Sequence, residues 1–316
     1  MLSHRYALIS ILLVVLTLTA NAQSQREAKD YFDRGSDRYV KGDFDGAIAY
    51  FTRVIEISLW HGSSQPERQN WRAASELSDE PANADRIMFI DPLIAAAYAN
   101  RGMARIHKDD LDGAIADCDR AILINPGLQL AYHNRGLIRW AKNDLAGALV
   151  DFDLVIRKNP QDAEAYDLRG NIRVDTGDLA GALADYDRAI QLAPRRAGFY
   201  SDRGQARRRK ADVDGALADF ERAIELKPLW AAAYYLRGMV WSDKRDLNRA
   251  IADFNRAIEL DSNLAEAYAN RGLMRLRLGQ NSEAEKDFAE SLRLDPSLKP
   301  RIEQIVRAEP ARRTSQ

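Results

Sequence analysis

Cysteine is nearly absent: Cys118 is the only one among 316 residues. A single thiol closes no intrachain disulfide, so stability has to come from packing. An excess of either charge is missing too, because 46 Lys and Arg stand against 47 Asp and Glu. That balance leaves no electrostatic footprint for nucleic acid, and none is expected as a partner. Catalytic signatures are lacking as well. The chain contains no H-E-x-x-H, no G-x-S-x-G and no phosphate-cradling glycine loop. Neither enzyme activity, nor a cofactor, nor a bound metal is therefore expected.

Long apolar runs are also wanting. "ALISILLVVLTL" at 7–18 has 12 residues, well short of the ~20 needed to span a bilayer. It follows a short segment carrying Arg5 and precedes the small-residue triplet "ANA" at 20–22. This order describes a secretory signal peptide, 1–22, with cleavage after Ala22. The rival reading, a membrane anchor, fails on length, so no stable membrane insertion is expected after cleavage. The expected location is exported, periplasmic or secreted, in a bacterial envelope.

What the chain has in abundance is period. Glycines at 102, 136, 170, 204, 238 and 272 are spaced by 34 without a slip. Four residues before each stands Tyr98, Tyr132, Tyr166, Tyr200, Tyr234 or Tyr268, and twelve after each comes Ala114, Ala148, Ala182, Ala216, Ala250 or Ala284. Four further on sits a core-sized residue: Cys118, Phe152, Tyr186, Phe220, Phe254 or Phe288. Pro126, Pro160, Pro194, Pro228 and Pro296 close the units, with Ser262 as the exception. The spacings write one face of a first helix and one face of a second. The glycine allows the second helix to approach, with the alanine twelve residues on as its expected counterpart. Asp110, Asp144, Asp178, Asp212 and Asp246 are placed to cap the second helices, and the prolines end them.

Counted from three residues before each Tyr, the signature falls at positions 4, 8, 20, 24, 27 and 32. It resembles the tetratricopeptide repeat, a helix–turn–helix unit, over residues 28–60 and 95–298. The fold class this implies is all-α, a right-handed α-solenoid. The expected organisation is a repeat array over 23–298, with repeat 1 at 28–60 and six regular repeats at 95–298. Residues 61–94 read as a degenerate repeat with a short first helix near Pro66–Leu77, or else as a loop insertion. Residues 299–316 read as a capping helix and a disordered tail beginning at "ARRTSQ".

The residue before each glycine departs from the family's apolar habit. It is always arginine (Arg34, Arg101, Arg135, Arg169, Arg203, Arg237, Arg271), and the last six repeats answer sixteen residues later with Asp117, Asp151, Asp185, Asp219, Asp253 and Asp287. One reading is a ligand-binding arginine ladder. The favoured one is a structural Arg–Asp pair tying helices together. "RRRK" at 207–210 reads as a solvated helix end, and Cys118 as a small core residue rather than a nucleophile.

The resemblance implies a concave groove lined by the first helices. Carried onto this chain, the family's groove positions are Ala99, Met103 and Ile106, then His133, Leu137 and Trp140, then Tyr235 and Met239. His107 is placed on the same inner side, too far from His133 to share a metal. Asn100, Asn134 and Asn270 at position 6 resemble asparagines that hold an extended peptide backbone, with the series interrupted by Leu168, Asp202 and Leu236. The family's carboxylate-gripping Lys and Asn pair is missing; the nearest match, Asp167 with Asn171, has the opposite sign. A protein or peptide partner in this groove is the expected function. Self-association as a structural assembly module is the rival.

Overall fold

The computed structural model describes residues 22–62 and 92–313. The signal segment up to residue 21, and the short first helix expected near Pro66–Leu77, lie outside the described residues. The chain divides into two compact units at Pro160/Gln161.

The first unit opens with α1 (22–40) and α2 (Phe44–Gly62). Then follow α3 (Pro92–Ile106), α4 (Leu111–Ile124), α5 (Gln129–Ala141) and α6 (Leu145–Lys158). The second unit holds α7 (Ala163–Asp175), α8 (Leu179–Leu192), α9 (Ala197–Arg209), α10 (Val213–Leu226) and α11 (Ala231–Asp243). It continues with α12 (Leu247–Leu260), α13 (Ala265–Arg277), α14 (Asn281–Leu294) and α15 (Lys299–Arg313). Within each unit, a first helix packs on the second helix of its own repeat, and that second helix packs on the next first helix. Each unit is thus a stretch of right-handed α-solenoid.

Local chemistry sets the boundaries. The carboxylates of Asp110, Asp144, Asp178 and Asp212 accept from the backbone N–H of Gly113, Gly147, Gly181 and Gly215, and Asp246 accepts from Arg249. Each bond satisfies one of the free N–H groups that a helix start leaves open. The recurring tyrosines and prolines serve one contact. Tyr132, Tyr200 and Tyr234 donate their hydroxyls to the carbonyls of Pro126, Pro194 and Pro228, at 3.1 to 3.2 Å. The proline both ends one repeat and offers the carbonyl that fixes the next first helix.

The glycine's counterpart is not the expected alanine. A Cβ on Gly136 would lie 2.9 Å from the Phe152 ring, and one on Gly170 would lie 2.8 Å from the Tyr186 ring. The aromatic at position 24 presses against the backbone there, and a methyl would force it away. In the repeat with Cys118 the ring is missing, and the Ala114 carbonyl closes to 2.9 Å of the same place. Cys118 is fully buried, and burial pushes its thiol up to about 12. It is an inert core residue.

At the far end, α15 buries Ile302 against Ala269, Ala284 and Phe288. This helix covers the apolar face that a last repeat leaves open. It continues through Arg313, into the stretch expected as a tail.

Candidate functional site

The arginine series resolves into a lattice of paired charges. Arg101, Arg135, Arg169, Arg203, Arg237 and Arg271 each reach the aspartate sixteen residues on, with N···O distances of 2.6 to 2.7 Å. Each guanidinium also lies 5.2 to 5.7 Å from the centroid of the position-4 tyrosine on its own helix. A third contact reaches back to the preceding repeat: Arg135 to Asp119, Arg203 to Asp187, Arg271 to Asn255. Burial works against the Arg135 charge, but its bonds to Asp151 and Asp119 outweigh that and raise its pKa. The lattice is structural, as favoured from the sequence.

Sequence reasoning overlooked a second arginine series. Arg105, Arg139, Arg173, Arg207 and Arg275 reach the same aspartates at 2.7 to 2.9 Å. Four of them also donate to the carbonyls of Gly113, Gly147, Gly181 and Gly215. Arg207 therefore does not belong to a solvated run, and Arg208 pairs with Asp243. One repeat breaks the rule. Trp241 replaces the second arginine, and Arg249 stacks 4.6 Å from its ring. Glu221, Arg237, Ala252 and Asp253 complete a shallow depression around them.

The same contacts order the first unit. Arg101 donates to Thr52 at 3.0 Å, and Lys108 pairs with Asp45. These are the contacts that join consecutive repeats elsewhere, so α2 packs on α3 as a preceding repeat would. His107 belongs to this joint and not to a groove. It stacks on Phe44 with ring centroids 3.9 Å apart, and its Nε2 lies 3.3 Å from the Tyr39 hydroxyl.

The expected groove residues divide into two groups. Ala99 is fully buried against Ala121 and Ala131, too small to project from its helix. Asn134 and Asn270 are 3% and 4% exposed. Asn134 donates to the Ala99 carbonyl at 3.0 Å, and Asn270 donates to the Tyr235 hydroxyl at 3.1 Å. Both lock neighbouring first helices and have no spare reach for a peptide. Ile106 packs with Ala114, Cys118 and Ile138. His133 meets Phe152 edge-on at 5.5 Å, and Tyr235 with Met239 packs on Ala250, Phe254 and Met274. Met103, Leu137, Trp140 and Asn100 are half-buried on α3 and α5, two first helices in contact with each other.

In the second unit, polar groups occupy the corresponding places. Asp167 and Asn171 on α7, Asp202 and Gln205 on α9, and the Tyr186 hydroxyl form one cluster. Tyr186 donates to Asn171 Oδ1 at 2.8 Å, Asn171 donates to Asp167 at 3.4 Å, and Gln205 donates to Asp202 at 3.3 Å. Desolvation, then Asp202 and Glu164, push Asp167 up to about 8, with Arg196 opposing; burial pushes Asp202 up to about 6. The sequence signal was a pair of acids at positions 5 and 6, where neighbouring repeats carry neutral residues.

A family model described as TPR repeat matches residues 170–210 and 243–279. Two described as tetratricopeptide repeat match 265–298 and 95–127. No curated protein matches the chain. Among solved structures, a tetratricopeptide repeat protein from Parabacteroides merdae aligns over 91% of this chain and 99% of its own, at 19% identity and a TM-score of 0.62. The APC/C hetero-tetramer Cut9–Hcn1 aligns over 84% of this chain and 52% of its own, at 16% identity and a TM-score of 0.58. A crystal structure of MamA aligns over 52% of this chain and 96% of its own, at 25% identity and a TM-score of 0.48. The first two share the fold. Repeats of this kind serve as protein-interaction scaffolds, and that coarse role belongs to this architecture. By its 34-residue phase, its helix pairing and its matching family models, the chain is a tetratricopeptide repeat protein.

Proposed function

We propose that the chain is an adaptor of the bacterial cell envelope, holding a peptide or protein partner on the inner face of its first helices. One observation carries this reading. Met103, Leu137 and Trp140 are half-buried on two adjoining first helices, apolar side chains that keep part of their surface outside the core. Apolar clusters of this kind mark interaction sites, with tryptophan a typical anchor. The export half rests on the 1–22 segment. No helix among the described residues is long and apolar enough to cross a membrane.

Two measurements test the proposal. Protein taken from the envelope fraction should begin at Gln23; retention of Met1 would remove the export reading. Partner affinity, measured on a complex captured by crosslinking in envelope extract, should fall by about 2 kcal/mol or more in Trp140→Ala, roughly thirtyfold, with helix content unchanged. Val150→Ala, at a position 55% exposed on a second helix, should change nothing. A purified chain that sizes as a dimer or larger assembly and captures no other protein would favour self-assembly instead.

A further inference from the structure

We infer that α7 and α9 form a seat for a cationic side chain of the partner, the ammonium of a lysine or the guanidinium of an arginine, between Asp167 and Asp202. This rests on the partner-binding reading above and names the chemistry of one of its contacts.

The placement follows from register. Residues 35 apart on successive first helices meet: the Asn134 side chain reaches the Ala99 backbone carbonyl, and Asn270 reaches the Tyr235 hydroxyl. Asp167 and Asp202 occupy that same relation. Where other repeats put a donor opposite an acceptor, this one puts two acceptors together. Two ionised carboxylates in a desolvated place oppose each other, so the pair carries its full charge only when a cation joins it.

A second observation points to a missing donor. Asp167 is 8% exposed, and its Oδ1 is buried with no hydrogen-bond partner among the described residues. Its Oδ2 accepts from Asn171, whose own oxygen is held by Tyr186. The carboxylate is therefore oriented from one side, with its other oxygen unsatisfied, an arrangement that is costly unless a donor completes it. The cluster borders solvent, since Asp202 and Asn171 are half-buried and Gln205 is exposed. The nearby cation Arg196 is bonded to Glu164 at 3.2 Å. Among the described residues no group of three or more His, Cys, Asp and Glu could hold a metal. A calcium ion would ask for about six to eight oxygens. A lysine or arginine brings several N–H donors to two carboxylates and suits the place better.

The charge state gives the seat a pH dependence with a definite sign. The groups facing Asp167 are Asp202 on α9, Glu164 on its own helix and Arg196 ahead of α9; Tyr186 joins from α8 through Asn171. With its pKa raised to about 8, Asp167 holds a proton in the folded chain that the unfolded chain has already lost. Stability from this group is therefore full below the ordinary carboxylate range and declines as pH rises toward 8. A bound cation favours the ionised form, so binding releases that proton and strengthens as pH rises.

The test is a titration of the mature chain with blocked pentapeptides, Ala-Ala-X-Ala-Ala, with X lysine, arginine, norleucine or glutamate, read by NMR at Asp167, Asn171 and Gln205. Lysine and arginine peptides should shift these signals with a Kd on the order of millimolar. Norleucine and glutamate peptides should not. Affinity should rise at least about tenfold from pH 6 to pH 8, and Asp167→Asn, which keeps the shape of the protonated acid, should abolish both binding and its pH dependence. Equal shifts from lysine and norleucine, silence from all four peptides at about 10 mM, or a response to calcium chloride alone would overturn the inference. If Trp140→Ala still releases the captured partner in that event, the cation seat falls and the partner-binding reading stands.

Discussion

Asp151→Ala is expected to destabilise the first unit by about 3–5 kcal/mol, the range for breaking a buried ion pair from one side. The side chain is fully buried and gathers two arginines: Arg135 through Nε and a terminal nitrogen, and Arg139 at 2.7 Å. Removing the carboxylate leaves two largely buried guanidinium groups facing each other across a cavity. A single Arg–Asp pair would suggest only about 1–3 kcal/mol; the second arginine raises the figure. Arg139→Ala should cost less, because Arg135 still neutralises Asp151. Urea denaturation of the three proteins tests the order. If Asp151→Ala proves as stable as the parent, the lattice is not what holds the two helices of this repeat.

Phe152→Ala is the second large effect, expected at about 3–5 kcal/mol for a fully buried aromatic. Its ring fills the space over Gly136 and meets His133 edge-on. Gly136 has no side chain to fill the void. Helix content should persist in other repeats, since each contacts only its neighbours. Loss of circular dichroism in proportion to one or two repeats, below the main transition, is the expected signature. A small uniform shift of the whole transition would mean that the site collapses without a cavity.

These two sites also show how far the sequence could be read. Arg135 and Asp151 recur together at fixed spacing, so their pairing was legible as soon as the period was found. Arg139 recurs in every regular repeat but the one with Trp241, yet was overlooked because no departure from the family drew the eye to it. The glycine was read as making room, which is right, but the alanine was named as its neighbour where the ring of Phe152 stands. Helical spacing says which residues share a face; it does not say how far a side chain reaches. The inner face was harder for the same reason. Asn134 could have bonded a peptide, and it bonds the Ala99 carbonyl because residue 99 is small enough to expose it. Ile106 and Met103 lie three positions apart on one helix and are both half-buried, and only packing decides that the first lies against Ala114, Cys118 and Ile138. Asp202 was noticed as an interruption of a pattern and Asp167 as a mismatch of sign, when those departures were themselves the signal.

The central claim is that partners bind on the inner face of the first helices while the charge lattice and outer helices only carry that face. Site-specific photo-crosslinking in living cells tests it most directly. A photoreactive residue is placed at Met103 or Leu137, or, as the outer control, at Val150, which is exposed on a second helix. The account predicts a discrete adduct with another protein from Met103 and Leu137, none from Val150, and loss of that adduct when Trp140→Ala is added. Adducts from Val150 with none from the inner positions would contradict it.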